Sequence, residues 1–284
     1  MQIAVVTDST AVITDEMKCN DRLRILKIPV VIDGEPQFDV APSEFYKRLN
    51  AAKEFPTTSQ PSIGEAEAIY QELAQDGYDA VISIHISSGI SGFYQNLVGE
   101  ANLIDTIKVY PFDSRSTSLP MGVMVETALR LIERGDTVEQ VLAALEKMRR
   151  YQCIYLVVDD LHHLVRSGRL SNGSALIGSL LKIKPVLRFD EYGNIVVFEK
   201  IRTAKKAYRR IEDLIIEEKN YYEAHGLKPI LGIAHADYEE KALELADHLS
   251  ERSHLPVRVV DLGTVIGTHT GSKTIGMGIM LDIE

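Results

Sequence analysis

Apolar and polar positions along this chain repeat at two periods, and the period switches several times. Residues 2–6, 25–32, 80–86 and 107–112 are short runs rich in β-branched side chains, which predicts strands. Amphipathic stretches separate them. Ser62 with Glu65 forms a capping box ahead of Ala66, Ile69, Tyr70 and Leu73, so a helix starts there, and Gly77 ends it. Met121, Met124, Val125, Ala128 and Ile132 recur at helical spacing after Pro120, which suits a first turn, until Gly135 stops the run. Thr137 with Gln140 caps another helix, whose apolar face is Val141, Leu142, Leu145 and Met148. This alternation predicts βαβ units around a mostly parallel sheet.

Residues 151–158 predict a strand running into Asp159 and Asp160, after which the chain turns basic and rich in Gly and Ser. A domain boundary is expected there, dividing residues 1–155 from 156–284. Residues 185–189 and 195–201 predict a β-hairpin, because Gly193 and Asn194 in the turn between them tolerate positive φ. Residues 204–224 place Ala207, Tyr208, Ile211, Leu214 and Ile215 on one face of a surface helix. A strand over 230–234, a helix capped by Asp237 with Glu240, and a strand over 257–260 complete an α+β-like second half.

Composition narrows the classes. At 284 residues, two domains fit the usual ~100–200 residues per domain. A formal net charge of -10 repels phosphate backbones and anionic surfaces, so nucleic acid is a poor partner, although basic residues cluster between Arg166 and Arg210. Lacking an apolar run long enough to span a bilayer and a secretory leader, the chain is expected to be cytoplasmic, with no stable membrane insertion. Cys19 and Cys153 lie far apart and form no C-x-x-C pair, so no metal ribbon or disulfide framework is expected.

Three loops crowd hydroxyls and glycines where strands meet helices: Thr57-Thr58-Ser59-Gln60-Pro61-Ser62, Ser87-Ser88-Gly89-Ile90-Ser91-Gly92, and Gly263 to Gly271. Their backbone N–H groups and hydroxyls can converge on an anionic group. Nucleotide fingerprints are missing, and Gly89-Ile90-Ser91-Gly92-Phe93 fails the G-x-S-x-G nucleophile elbow at its last position. His162 and His163 diverge by about 100° on a helix, which suits no shared metal. Asp8 ends the first strand, where ligands often bind and where an aspartate equally often caps the next segment; both roles stay open.

Nearly the whole chain resembles the DegV family, through Thr7-Asp8-Ser9, the first two hydroxyl loops, Asp113-Ser114, Gly168-Arg169-Leu170-Ser171, Lys182-Ile183-Lys184-Pro185, Lys200-Ile201-Arg202-Thr203 and His269-Thr270-Gly271, in that order. The resemblance implies an α/β fold of two domains: an N-terminal three-layer α/β/α domain with a parallel sheet and a C-terminal α/β domain with a mixed sheet, the ligand lying between them. The implied ligand is a long-chain fatty acid such as palmitate, and the implied partner is an ATP-dependent fatty acid kinase subunit that phosphorylates the acyl carboxylate. The chain itself would then carry no catalytic residue, cofactor or metal. Thr58 and Ser91 best match the hydroxyls that hold the carboxylate, with Ser59, Gly92, Thr268 and His269 beside them. Arg169 and Arg202, within a basic group that also includes Arg166, Lys200, Lys205 and Lys206, are expected to face the partner. One departure stands out: the family often continues His-Thr-Gly with Pro-Gly, where this chain has Ser272-Lys273. The competing class is a stand-alone enzyme in a dihydroxyacetone-kinase-like fold, holding a small polar or phosphorylated substrate covalently through a histidine such as His85 or His269.

The physics is compatible with a lipid ligand. Roughly 14 methylenes at about 0.8 kcal/mol each supply about 11 kcal/mol before association costs. Neutral hydroxyls then orient the head without burying a fixed charge pair.

Overall fold

The computed structural model describes residues 1–38, 40–173 and 183–284. Lys182, the first residue of one family-like motif, lies outside them. The chain opens with β1 (Ile3–Asp8), α1 (Asp15–Lys18), β2 (Leu23–Leu26), β3 (Val30–Ile32), β4 (Glu35–Gln37), α2 (Pro42–Ala51) and β5 (Thr57–Thr58). It continues through α3 (Ile63–Gln75), β6 (Ala80–His85), α4 (Phe93–Glu100), β7 (Lys108–Asp113), α5 (Ser118–Arg134) and α6 (Val138–Arg150). The second half holds β8 (Cys153–Val157), α7 (His162–Arg166), β9 (Val186–Phe189), β10 (Ile195–Glu199) and α8 (Ala204–Ala224). After these come β11 (Lys228–Ala236), α9 (Glu239–Ser253), β12 (Val257–Asp261), α10 (Thr264–Thr270) and β13 (Thr274–Asp282).

The first sheet, in the order β2-β1-β6-β7, is parallel throughout. Every residue of β1 and β6 is buried, as helices on both faces require. The second sheet, β10-β9-β8-β13-β11-β12, is mixed: β11 and β12 run parallel and the other pairs antiparallel. A small antiparallel sheet, β4-β3-β5, stands apart. The α/β fold with one parallel and one mixed sheet is therefore as expected. The expected division at 155/156 falls within β8, a strand of the second sheet.

Helix α5 explains how the halves join. It is buried on nearly all sides, because it packs on β1 and β6 of one sheet and on β11 of the other, so no polar stripe remains. One continuous core consequently includes Val5 and Ile82 from the first sheet with Ala234 and Met280 from the second. Helices α8 and α9 cover the far face of the second sheet through Ile211, Ile215, Leu245 and Leu249. Helix α3 covers the far face of the first through Ala66, Tyr70 and Leu73.

Local signals mostly hold. Both capping boxes form, Ser62 with Glu65 and Thr137 with Gln140, and Gly193 takes φ +79° in the hairpin turn. Three readings change. The strand expected over 25–32 splits into β2 and β3, which join different sheets, because Pro29 offers no N–H and the chain turns away at Ile28. Asp237 does not cap α9; it sits at φ +50°, and Tyr238 occupies the cap position without a side-chain bond. Strand β13, central to the second sheet, has no counterpart among the expected strands, because Gly276 and Gly278 interrupt its apolar alternation.

Candidate functional site

A cavity of about 250 Å³ lies where the carboxyl ends of the parallel strands meet the inner face of the second sheet. Its walls are mostly apolar: Ile28, Ile86 and Leu119 from the first half, with Ile154, Leu156, Phe189, Ile195 and Met280 from the second. Thr58, Ser59, Gln60, Ser91, Gly92, Arg169 and His269 supply polar lining. Residues far apart in sequence thus share one wall, and the Thr58 Oγ1 to His269 Nε2 hydrogen bond at 2.8 Å spans 211 positions.

The loop carrying Ser91 is held from three directions. Asp8 Oδ2 accepts the Ile86 N–H at 3.0 Å, Asp113 Oδ1 accepts the Ser88 N–H at 3.1 Å, and the Ser87 hydroxyl donates to the Gly193 carbonyl at 2.7 Å. A Cβ on Gly89 would sit 2.4 Å from the Gly193 carbonyl group, so the hairpin turn can pack this closely only against glycine. Anchored at Ile86, Ser87 and Ser88, the loop places Ser91 on the cavity wall. Ser9 similarly accepts the Ile28 N–H at 2.9 Å, which fixes the turn between β2 and β3 at the cavity wall.

Asp8, whose role the sequence left open, is this anchor and not a ligand group. It is fully buried. Its Oδ1 accepts from the Thr10 N–H and hydroxyl, while its Oδ2 accepts from Ile86 N–H and His85 Nδ1–H. Burial alone would raise the carboxyl pKa, but the bonds from His85, Thr10 and Ile86 together hold it below the ordinary value. His85 Nε2 lies 2.7 Å from Ser83 Oγ, which lies 2.8 Å from the Tyr70 hydroxyl. The Ser–His–Asp order resembles a nucleophile relay, yet Ser83 and His85 are wholly enclosed between the first sheet and its outer helices. His85 therefore drops out as a substrate-labelled histidine, because strand alternation points it away from the cavity.

His269 is the histidine on the cavity wall. Burial first, then the nearby Arg169 guanidinium and His163, push its pKa down to about 4, so the ring is neutral at neutral pH. Among the described residues its buried Nδ1 has no hydrogen-bond partner. A bare ring nitrogen is easier to leave unpaired than a buried N–H, which puts the proton on Nε2, donating to Thr58 Oγ1. The Thr58 hydroxyl is then free to donate into the cavity. Stability should follow this proton. Between 6.5, the ordinary histidine value, and about 4, the unfolded chain binds a proton that the folded chain refuses. The contribution is thus complete above pH 6.5 and falls away toward pH 4, by about 3 kcal/mol. Urea denaturation of the parent chain and of His269→Gln across this range checks it: the variant should lose about 3 kcal/mol less on acidification, and equal losses would place the proton elsewhere.

The remaining expected residues divide. Ser59 and Gly92 line the cavity; Thr268 does not, because its hydroxyl donates back to the Thr264 carbonyl within α10 at 2.9 Å. Arg169 lines the cavity and donates through Nε to the Ile90 carbonyl at 3.3 Å, so it faces the pocket rather than only a partner. Arg202 is exposed ahead of α8 and does not line the cavity. Gln60 and the glycines of β11 and β13 line it without having been singled out. Gln60 was visible inside the first hydroxyl loop; the glycines carried no local signal.

The family model described as "Uncharacterised protein, DegV family" matches residues 2–282. The chain belongs to the DegV family. Protein DegV of Bacillus subtilis is 43% identical over 282 residues, 98% of each chain. A fatty acid binding DegV family protein from Streptococcus agalactiae superposes with a TM-score of 0.94 at 34% identity, covering 100% of both chains. The structure of DegV, a fatty acid binding protein from Bacillus subtilis, superposes with a TM-score of 0.89 at 42% identity, covering 99% of this chain and 100% of that one. The DegV family motifs quoted from the sequence thus acquire places. Thr7-Asp8-Ser9 and Asp113-Ser114 anchor loops, whereas the first two hydroxyl loops and His269 meet at the cavity.

Proposed function

We propose that this chain binds a long-chain fatty acid in the cavity and presents its carboxyl group to a separate ATP-dependent kinase, which forms the acyl phosphate. The observation that carries the reading is a mostly apolar cavity whose polar lining includes the Thr58 and Ser91 hydroxyls, the neutral His269 ring and the Arg169 guanidinium. Apolar walls supply affinity for the tail. Thr58 and Ser91 orient the head, and Arg169 offsets its charge without forming a closed ion pair. The family's solved members described as fatty acid binding proteins support the tail. A phosphate-binding motif is missing from the sequence, which motivates the separate kinase.

Mass spectrometry of protein purified without detergent should recover a bound acyl chain, and delipidated protein should take up added palmitate. No acyl chain and no uptake would overturn the reading. The kinase step has its own test. Lys200, Arg202, Lys205 and Lys206 are exposed, and a basic surface on an acidic protein steers an acidic partner. Arg202→Ala should slow acyl phosphorylation by the kinase about two- to tenfold at low salt, and less at high salt, with fatty acid affinity unchanged. Loss of lipid binding in step with phosphorylation would move Arg202 from the partner surface to the ligand.

A further inference from the structure

The inner face of the second sheet has a bare patch where four neighbouring positions carry at most one carbon. In β11 and β13, Gly232 pairs directly with Gly278, and Ala234 pairs with Gly276. Strand β8 continues both rows, with Ile154 beside Gly278 and Leu156 beside Gly276. All four positions line the cavity. Glycine inside a central strand weakens it and marks a close approach by a backbone or a ligand. Backbone conformation does not demand glycine here, since Gly232, Gly276 and Gly278 are absent from the positive-φ positions. What the three share is the missing side chain.

The space above them is used unequally. A Cβ on Gly232 would lie 2.1 Å from Leu119 Cδ2, so the Leu119 side chain already rests on that glycine. A Cβ on Gly278 would lie 2.8 Å from Ile154 Cδ1, which leans across it. Among the described residues, a Cβ on Gly276 meets nothing closer than the Ala234 carbonyl oxygen and Leu156 Cδ2, both at 3.8 Å, which is ordinary contact. Gly276 is therefore the glycine of this patch whose own site is open to the cavity. A protein interior that leaves such a gap loses packing on every side of it unless something occupies it.

We propose that Gly276 sets the depth of the cavity and thereby the length of acyl chain that the site accepts. This rests on the fatty acid reading above. A larger side chain at 276 projects into the trough where the tail would lie. It shortens the available path without touching Thr58, Ser91 or His269. Leu119 and Ile154 are the neighbouring stops, seated on the two glycines that are already covered.

The test is a binding series of saturated acids from about eight to eighteen carbons on delipidated parent chain, Gly276→Ala and Gly276→Val, with melting temperature as a check on folding. Gly276→Val should bind the longest acid accepted by the parent chain at least about tenfold more weakly, while short acids keep their affinity. The preferred length should shorten by about two or three methylenes, the volume of the added side chain. If Gly276→Val does not fold, Gly276→Ala, whose methyl meets no clash, carries the test with a shift of about one methylene. Parent-like length profiles in the folded variants would overturn the role of Gly276 and leave fatty acid binding standing. Failure of the parent chain to bind any acid would overturn the fatty acid reading and this inference with it.

Discussion

Replacing Asp8 by Asn, an isosteric change, is expected to destabilise the protein by about 2–4 kcal/mol, because a buried carboxylate accepting four hydrogen bonds is replaced by a group that leaves a buried donor unpaired. Both carboxylate oxygens of Asp8 serve as acceptors: Oδ1 for Thr10, Oδ2 for Ile86 and His85. An asparagine has one oxygen and one NH₂ group. Whichever way its amide turns, a donor meets a backbone N–H, at Thr10 or at Ile86, and a buried donor is left unpaired. The loop that follows Ile86 carries Ser91, so fatty acid affinity should fall with stability. Chemical denaturation of the parent and variant at pH 7 measures the cost, and a loss below about 1 kcal/mol would mean that the ionised carboxylate is not the anchor described.

The second large effect falls on ligand affinity. If Thr58 and Ser91 hold the carboxyl group as proposed, Thr58→Ala with Ser91→Ala should weaken fatty acid binding by about 2–6 kcal/mol, or roughly thirtyfold to well over a thousandfold in Kd. Each missing hydroxyl leaves the carboxylate short of one hydrogen bond. Losing Thr58 also strands the His269 Nε2–H, which has its 2.8 Å partner there. Burial of the tail is untouched, so binding should survive in weakened form. Calorimetry with a fatty acid and with its methyl ester separates the contributions: the double variant should lose most of the parent chain's preference for the free acid. An unchanged Kd would put the carboxyl group at another wall of the cavity.

What could be read along the chain was chemistry between near neighbours. Capping boxes at Ser62 and Thr137, the stop at Gly135, the hairpin turn at Gly193 and the apolar face of α8 each depend on residues within a few positions of one another, and each formed as expected. The hydroxyl loops were legible as unusual composition, and their order carried the family resemblance. Pro29 was passed over: the strand expected over 25–32 ran through it, and nothing local said that the two pieces would enter different sheets.

The site itself was decided by contacts that sequence distance hides. Asp8 became an anchor because β6 lies beside β1, which brings Ile86 within reach of a carboxylate 78 positions away. Thr268 and His269 are adjacent and equally plausible on paper, but the turn of α10 sends one hydroxyl back to its own helix and the other side chain to Thr58. Strand β13 reads as a poor strand because Gly276 and Gly278 lower its propensity. In the folded sheet those glycines pair with Ala234 and Gly232 and open the trough. Propensity reports what a residue prefers when its neighbours are solvent and nearby chain. A cavity is made of surfaces brought together by the fold, so its lining residues answer to packing across hundreds of positions, and only the assembled sheets and α5 between them say which face each one shows.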